Sequence, residues 1–205
     1  MKKAFRMLLV LPLVVALIAG CSKPPEMEMA AADQAAQAAQ AAQASKYAPQ
    51  DWQMAQDTLQ AARAEKAAQD SRFAMFRSYG KSKSMFEKST ALANTAASNA
   101  KVEMERVRKE TEQMLNMVKT DLDSTAAMLA NAPVGKDTKA EIELMKQDMT
   151  ALQQTFTEAQ AEYGRNNFDA AKSKAQSIRD RMASMKTQLE AAMAKHPGAK
   201  KAMKK

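Results

Sequence analysis

Apolar positions recur along much of this chain at alternating steps of three and four, the spacing that lines them up on one face of an α-helix. Phe86, Thr90, Ala93, Ala97, Ala100, Met104, Val107, Thr111, Met114 and Val118 keep that rhythm without interruption. So do Ile142, Met145, Met149, Leu152, Phe156, Ala159 and Tyr163, and again Phe168, Ala171, Ala175, Ile178, Met182, Met185, Leu189 and Ala192. A shorter stripe, Trp52, Ala55, Leu59 and Ala62, precedes them. Each stripe has to be buried against another, so the pattern predicts an all-α protein with no sheet.

Punctuation residues set the expected limits. Pro49 suits the first turn of a helix, where its missing N–H loses no bond, and a helix is predicted over 49–69. Asp70 and Ser71 read as N-cap residues, and no proline follows before Pro133. One helix is therefore expected over 72–131, roughly 60 residues and ~90 Å long, with the strict heptad seam of a coiled coil; Gly80 weakens it locally. The run from Asn131 to Asp137 holds a proline and a glycine and breaks the chain, and Thr138 with Glu141 reads as a capping box. Two further helices, 138–163 and 168–195, follow, with Gly164 as the stop between them. Their short connection makes them antiparallel neighbours, and with the end of the long helix they suit a three-helix bundle. The expected architecture is an elongated helical hairpin (49–130) followed by that C-terminal hairpin (131–195).

Ahead of these helices the pattern changes. Met1 to Arg6 is short and basic, and Met7 to Ala19 is apolar except for Pro12. A membrane span needs about 20 apolar residues, so 1–20 reads as a cleaved export signal. The segment 21–48 contains Pro24-Pro25 and then mostly Ala and Gln, with almost no large apolar side chain. Its helix propensity is high, but alone it would be marginal, and it is read as a tether. A fold-back of Ala30 to Ala44 beside Ala93 to Ala100 would give it a packing surface.

Leu17-Ile18-Ala19-Gly20-Cys21 resembles the lipobox of bacterial lipoproteins. That resemblance implies a diacylglycerol on the Cys21 sulfur and, after cleavage, an N-acyl chain such as palmitate on its amine. Two or more chains hold a protein stably on a membrane. Ser22, where inner-membrane lipoproteins of enteric-type bacteria usually carry Asp, implies sorting to the outer membrane, facing the periplasm. Cys21 is the only cysteine, so no internal disulfide is available and stability must come from helix packing.

Tyr47-Ala48-Pro49-Gln50, then Ala55, Leu59, Ala62, Phe76, Ala93 and Ala97, resemble a family of alanine-rich helical-hairpin lipoproteins of unknown function. Some members carry an OmpA-like peptidoglycan-binding domain, which this chain lacks. Tyr163 to Ala171 is similar to the turn of a tetratricopeptide-type hairpin, but one turn does not make the stacked array that such repeats need.

Charge and chemistry narrow the function classes. The chain has 31 Lys and Arg against 23 Asp and Glu; losing Lys2, Lys3 and Arg6 with the leader leaves 28 against 23, a net of +5. An exported basic chain meets anionic lipid, lipopolysaccharide or peptidoglycan rather than nucleic acid. The 17 methionines raise Cu(I) as a ligand, yet Met104, Met114, Met145, Met149, Met182 and Met185 stand where Leu and Ile stand, which is core filling. Met27 and Met29 in the tether are the pair free to bind a metal, and two ligands are too few for a site. His196 is the only histidine and lies in the basic tail 196–205. Asp121 with Asp123, and Glu141 with Glu143, are two apart on helices and diverge. No catalytic, cofactor or metal residue is assigned.

The reading is a non-catalytic, lipid-anchored envelope protein, a spacer or protein-interaction adaptor at the outer membrane with an envelope protein or peptidoglycan as partner. The alternative is a holdase-like periplasmic chaperone. The long helix's seam could also pair with a second copy.

Overall fold

A computed structural model describes residues 23–132, 134–135 and 138–194. Among the described residues six helices run in the order α1 (Glu26–Ala41), α2 (Ala44–Tyr47), α3 (Pro49–Asp70), α4 (Gly80–Ala130), α5 (Lys139–Gly164) and α6 (Phe168–Ala194), with one 3-10 turn at Ala74–Phe76. No strand occurs among the described residues. The fold is all-α, with one helix of 51 residues that packs against others. The chain divides into two compact units, one ending at Met104 and the other starting at Glu105.

In the first unit α3 and the start of α4 form an antiparallel pair. Lys81 meets Glu65 at 2.8 Å near their junction, and Asn99 donates to Asp51 at 2.7 Å at the opposite end. Between these, the buried Ser89 hydroxyl donates to the Ala55 carbonyl at 3.1 Å. The third member is α1. Its Glu26 and Asp33 pair with Lys66 and Arg63, at 3.3 and 2.6 Å, and its Glu28 pairs with Lys83 at 3.0 Å. Residue numbers fall along α3 and rise along α4 as they rise along α1, so α1 runs antiparallel to the former and parallel to the latter.

The Ala/Gln segment is thus a structural helix, not a tether. Ala32, Ala35 and Ala39 are buried, and Ala32 joins Leu59, Ala62 and Phe86 in one apolar cluster with Met29, Ala36 and Met85 against it. Methyl side chains let the backbones approach while Phe86 and Leu59 supply the bulk. Ala93, Ala96 and Ala100 on α4 are fully buried as well. Glu26 and Glu28 in the first turn of α1 complement the partial positive charge of its N-terminus.

The long helix begins at Gly80 rather than at 72. Asp70 and Ser71 close α3 instead of capping a new helix: the Ser71 N–H bonds the Ala67 carbonyl and its hydroxyl bonds the Ala68 carbonyl. Its buried stripe also differs from a single heptad seam. Ser82, Phe86, Ser89, Ala93, Ala96 and Ala100 form one series, and Thr111, Leu115, Val118, Leu122, Thr125 and Leu129 form another. An 11-residue step separates them, and none of residues 101–110 is buried. Such a step breaks heptad phase, because each series faces its own pair of neighbours. Thr90, Ala97, Met104, Val107 and Met114 are only half-buried.

In the second unit the end of α4 packs with α5 and α6. Lys174 with Glu158 (2.6 Å) and Arg181 with Asp148 make α5 and α6 antiparallel. Lys172 with Glu110 and Lys186 with Asp121, both at 3.1 Å, make α6 parallel to α4. All eight stripe positions of α6 are buried, as are Ile142, Met145, Met149, Leu152 and Ala159 of α5, while Phe156 and Tyr163 pack half-buried beside them. Thr138 takes the N-cap position of α5, its hydroxyl oxygen accepting the Gly135 N–H at 3.1 Å. Of the breaker, Pro133, Lys136 and Asp137 lie outside the described residues.

Gly164 is not the stop between α5 and α6. It is the last residue of α5, and the left-handed conformation falls on Asn166, φ 60°. The Asn167 N–H and side-chain amide both bond Glu162, at 2.9 and 2.8 Å, and the Tyr163 and Phe168 rings meet at 5.6 Å.

Candidate functional site

The residues that the sequence singles out, Cys21 and Ser22, lie outside the described residues, as do the leader, His196 and the basic tail. The path of the chain just after them is described. Lys23 is exposed, Pro25 is buried, and α1 begins at Glu26. Lys66 bridges Glu26 to Asp70, at 3.3 and 3.0 Å, so the chain enters the first unit within a turn of the end of α3.

That end is built with care. Between α3 and α4 the chain makes a tip, 71–79, held from beneath by side chains nine residues apart. The buried Gln69 carbonyl oxygen accepts the Ser78 N–H at 3.1 Å while its amide donates to Glu65 at 2.9 Å. Tyr79, 2% exposed, donates its hydroxyl to Asp70 at 2.5 Å. The Arg77 guanidinium bonds the carbonyls of Arg72 and Asp70, each at 2.9 Å. The bonds from Arg77, Ser78 and Tyr79 span five to nine residues, a spacing that helical periodicity does not reveal.

The electrostatics agree with the geometry. The Tyr79 hydroxyl and then the Lys66 ammonium hold the Asp70 carboxyl below its ordinary value, and Asp70 pushes the Tyr79 phenol up in return. Lys81 and then Gln69 lower Glu65; Lys83 lowers Glu28. Asp70 is the main cause of an upward shift at Lys66, with Glu26 adding to it.

On this framework Phe73, Met75 and Phe76 stand 73%, 57% and 69% exposed. Met27, in the first turn of α1 at the same end, is 84% exposed. Sequence reading places 73–76 inside a helix and misses the tip. Two signals could have found it: four consecutive apolar residues, Phe73 to Phe76, which fit no amphipathic face, and Gly80 shortly after.

Elsewhere the surface carries networks that hold helices together. Arg108 grips Glu105 with two nitrogens, at 2.7 and 2.8 Å, and donates to the Tyr163 hydroxyl at 3.1 Å, which fixes the end of α5 to α4. Glu105 and then Tyr163 raise the Arg108 guanidinium further above neutrality, and Arg108 lowers Glu105. Asp121 pairs with Lys186, and Asp123 with Lys119 at 2.8 Å. An open groove of about 380 Å³ in the first unit is lined by Tyr47, Pro49, Asp51, Asn99 and Val102 among others.

Among the described residues no group of three or more His, Cys, Asp or Glu is placed to hold a metal ion. Met29 packs on the Phe86 cluster, so it does not stand free beside Met27. No described helix is long and apolar enough to cross a membrane. Comparison of the chain with family models, curated proteins and solved structures finds no match in any of the three.

Proposed function

We propose that this chain is a lipid-anchored, non-catalytic protein of the cell envelope, acting as a spacer or protein-interaction adaptor at the outer membrane with its helices facing the periplasm. The observation that carries the reading is the sequence Leu17-Ile18-Ala19-Gly20-Cys21 at the end of a basic-then-apolar leader. Cys21 takes the diacylglycerol and N-acyl chains, and Ser22 directs outer-membrane sorting. Partner binding by the helical surfaces to an envelope protein or to peptidoglycan is the work left for a protein of this kind.

The adaptor reading is favoured over the holdase alternative by where the apolar side chains are. Met145, Met149, Met182 and Met185, which a chaperone would offer to clients, are buried in the second unit's core. The mass of the mature protein from a bacterial host is the test. Diacylglycerol and a third acyl chain at Cys21, both lost in Cys21→Ser, are expected; an intact leader or a free Cys21 thiol would end the proposal. Suppression of aggregation of an unfolded outer-membrane protein at equimolar ratio would favour the alternative.

A further inference from the structure

Solitary exposed apolar side chains are ordinary on protein surfaces; a cluster needs an explanation. Four of the nine large apolar side chains that are exposed among the described residues, Met27, Phe73, Met75 and Phe76, share one end of the first unit. Two aromatic rings and a thioether at a tip contribute no burial to this fold, yet the fold pins that tip with Gln69, Asp70, Arg77 and Tyr79. Something apolar has to meet them.

Two observations choose the occupant. The first is where the chain comes from. Cys21 is five residues before Glu26, a contour of at most about 17 Å, and Glu26 is tied through Lys66 to Asp70 at the base of the tip. A lipid on Cys21 therefore holds this end, and not the opposite end of α3, at the bilayer. The second is charge. Arg72 and Lys23 are exposed and Lys81 has 71% of its side chain exposed. With Lys66, Arg77 and Lys83 they make six cations against Glu26, Glu28, Glu65, Asp70 and the Glu87 that faces Lys83, a net of +1 at this end. Exposed aromatic and sulfur side chains at an end with an excess of Arg and Lys suit the interface of an anionic bilayer, where rings sit at headgroup level and cations meet phosphate.

We infer that the 71–79 tip, with Met27, lies on the membrane that holds the lipid anchor, Phe73, Met75 and Phe76 entering the interface of an anionic phospholipid surface. The tip adds a second, protein-made contact to the acyl chains and fixes which way the first unit stands. This rests on the reading of Cys21 as the lipidated residue.

The test places a reporter in the tip. Trp52, the native tryptophan, lies near the other end of α3, about 25 Å away. In the acylated chain on phosphatidylglycerol-containing vesicles, Phe76→Trp is expected to add a blue-shifted component quenched by lipids brominated near the headgroup, with Trp52 unquenched. Absence of such quenching in protein shown to be vesicle-bound would overturn the inference. The unacylated Cys21→Ser chain, produced without residues 1–20 so that no apolar leader remains, separates this outcome from failure of the lipoprotein reading. It is expected to sediment with phosphatidylglycerol vesicles several-fold more than with phosphatidylcholine alone, and to lose that difference when Phe73, Met75 and Phe76 become serine with the circular dichroism unchanged. Equal sedimentation with both lipids, or a blue shift of the Phe76→Trp reporter produced by concentration-dependent self-association without lipid, would count against it.

Discussion

The Tyr79 hydroxyl donates to the Asp70 carboxylate across nine residues, at 2.5 Å, with the tyrosine almost wholly buried. This bond joins the last residue of α3 to the residue before α4 and closes the tip between them. Because the Lys66 ammonium donates to Asp70 and also pairs with the Glu26 carboxylate, the same carboxylate ties the tip to the entry of α1.

Removal of that hydroxyl in Tyr79→Phe should let the tip open while the second unit is unaffected. Amide exchange of residues 72–79 is predicted to speed up on the order of tenfold, the effect of losing one hydrogen bond to a charged group. The Asp70 carboxyl should titrate closer to its ordinary value of 3.8. Unchanged exchange would mean that Gln69 and Arg77 suffice.

Core substitutions should separate the units. Phe86→Ala empties the centre of the first cluster and is predicted to cost about 3–5 kcal/mol; Ile178→Ala in the second should cost about 2–5 kcal/mol. Ala39→Leu tests the packing of α1, since a leucine there has no room and should cost about 1–3 kcal/mol. If α1 were a loose tether, that last change would be neutral in denaturant unfolding.

The turn between α5 and α6 gives a paired prediction. An added methyl at Gly164 meets nothing within 4 Å and its backbone is helical, so Gly164→Ala should stabilise by about 0.4–1 kcal/mol. Asn166→Ala, at φ 60°, should destabilise by about 1 kcal/mol. The opposite pattern of melting temperatures would restore Gly164 as the stop.

Acid should loosen the helix contacts in a defined window. Glu28, Glu65, Glu105, Glu110 and Asp70 are all lowered, by Lys83, Lys81, Arg108, Lys172 and Tyr79 in turn. A carboxyl whose folded value lies below its unfolded one stabilises fully above the unfolded value, here 4.5 for Glu and 3.8 for Asp. That contribution is lost as the pH falls through the lowered values. Melting temperature should therefore hold between pH 7 and 5 and fall below about pH 4.5, modestly because these groups face water, and less at high salt.

Much of the fold is legible in the sequence because stripes are local. The α6 stripe from Phe168 to Ala192 reads in full, and that of α5 nearly so, since each of these helices presents a single face to one core. The long helix is harder. Phe86, Ala93, Ala100, Thr111 and Val118 fall on the expected seam, but alternate positions drift because the helix changes neighbours near Met104 and a continuous heptad cannot follow. The tip escapes for a different reason. Asp70 and Ser71 are good caps in isolation, and what makes Asp70 an ending is Tyr79, nine residues on. At the candidate site, the proposal for Cys21 rests on its surroundings in sequence alone, whereas Phe73 and Phe76 become informative only when the chain's entry point at Glu26 is known to lie at the same end.

The alanine face of α1 has a mechanical consequence. Its buried side chains are methyls, so it adheres to the first unit more weakly per residue than any helix carrying Leu or Ile, and its ion pairs are at the surface. Tension entering at Lys23 loads the Glu26 end directly and would unzip this helix turn by turn before disturbing α3 or α4. Sixteen residues going from helix to extended chain lengthen it by about 30 Å, so a sudden pull is absorbed as slack while the remaining helices keep their fold.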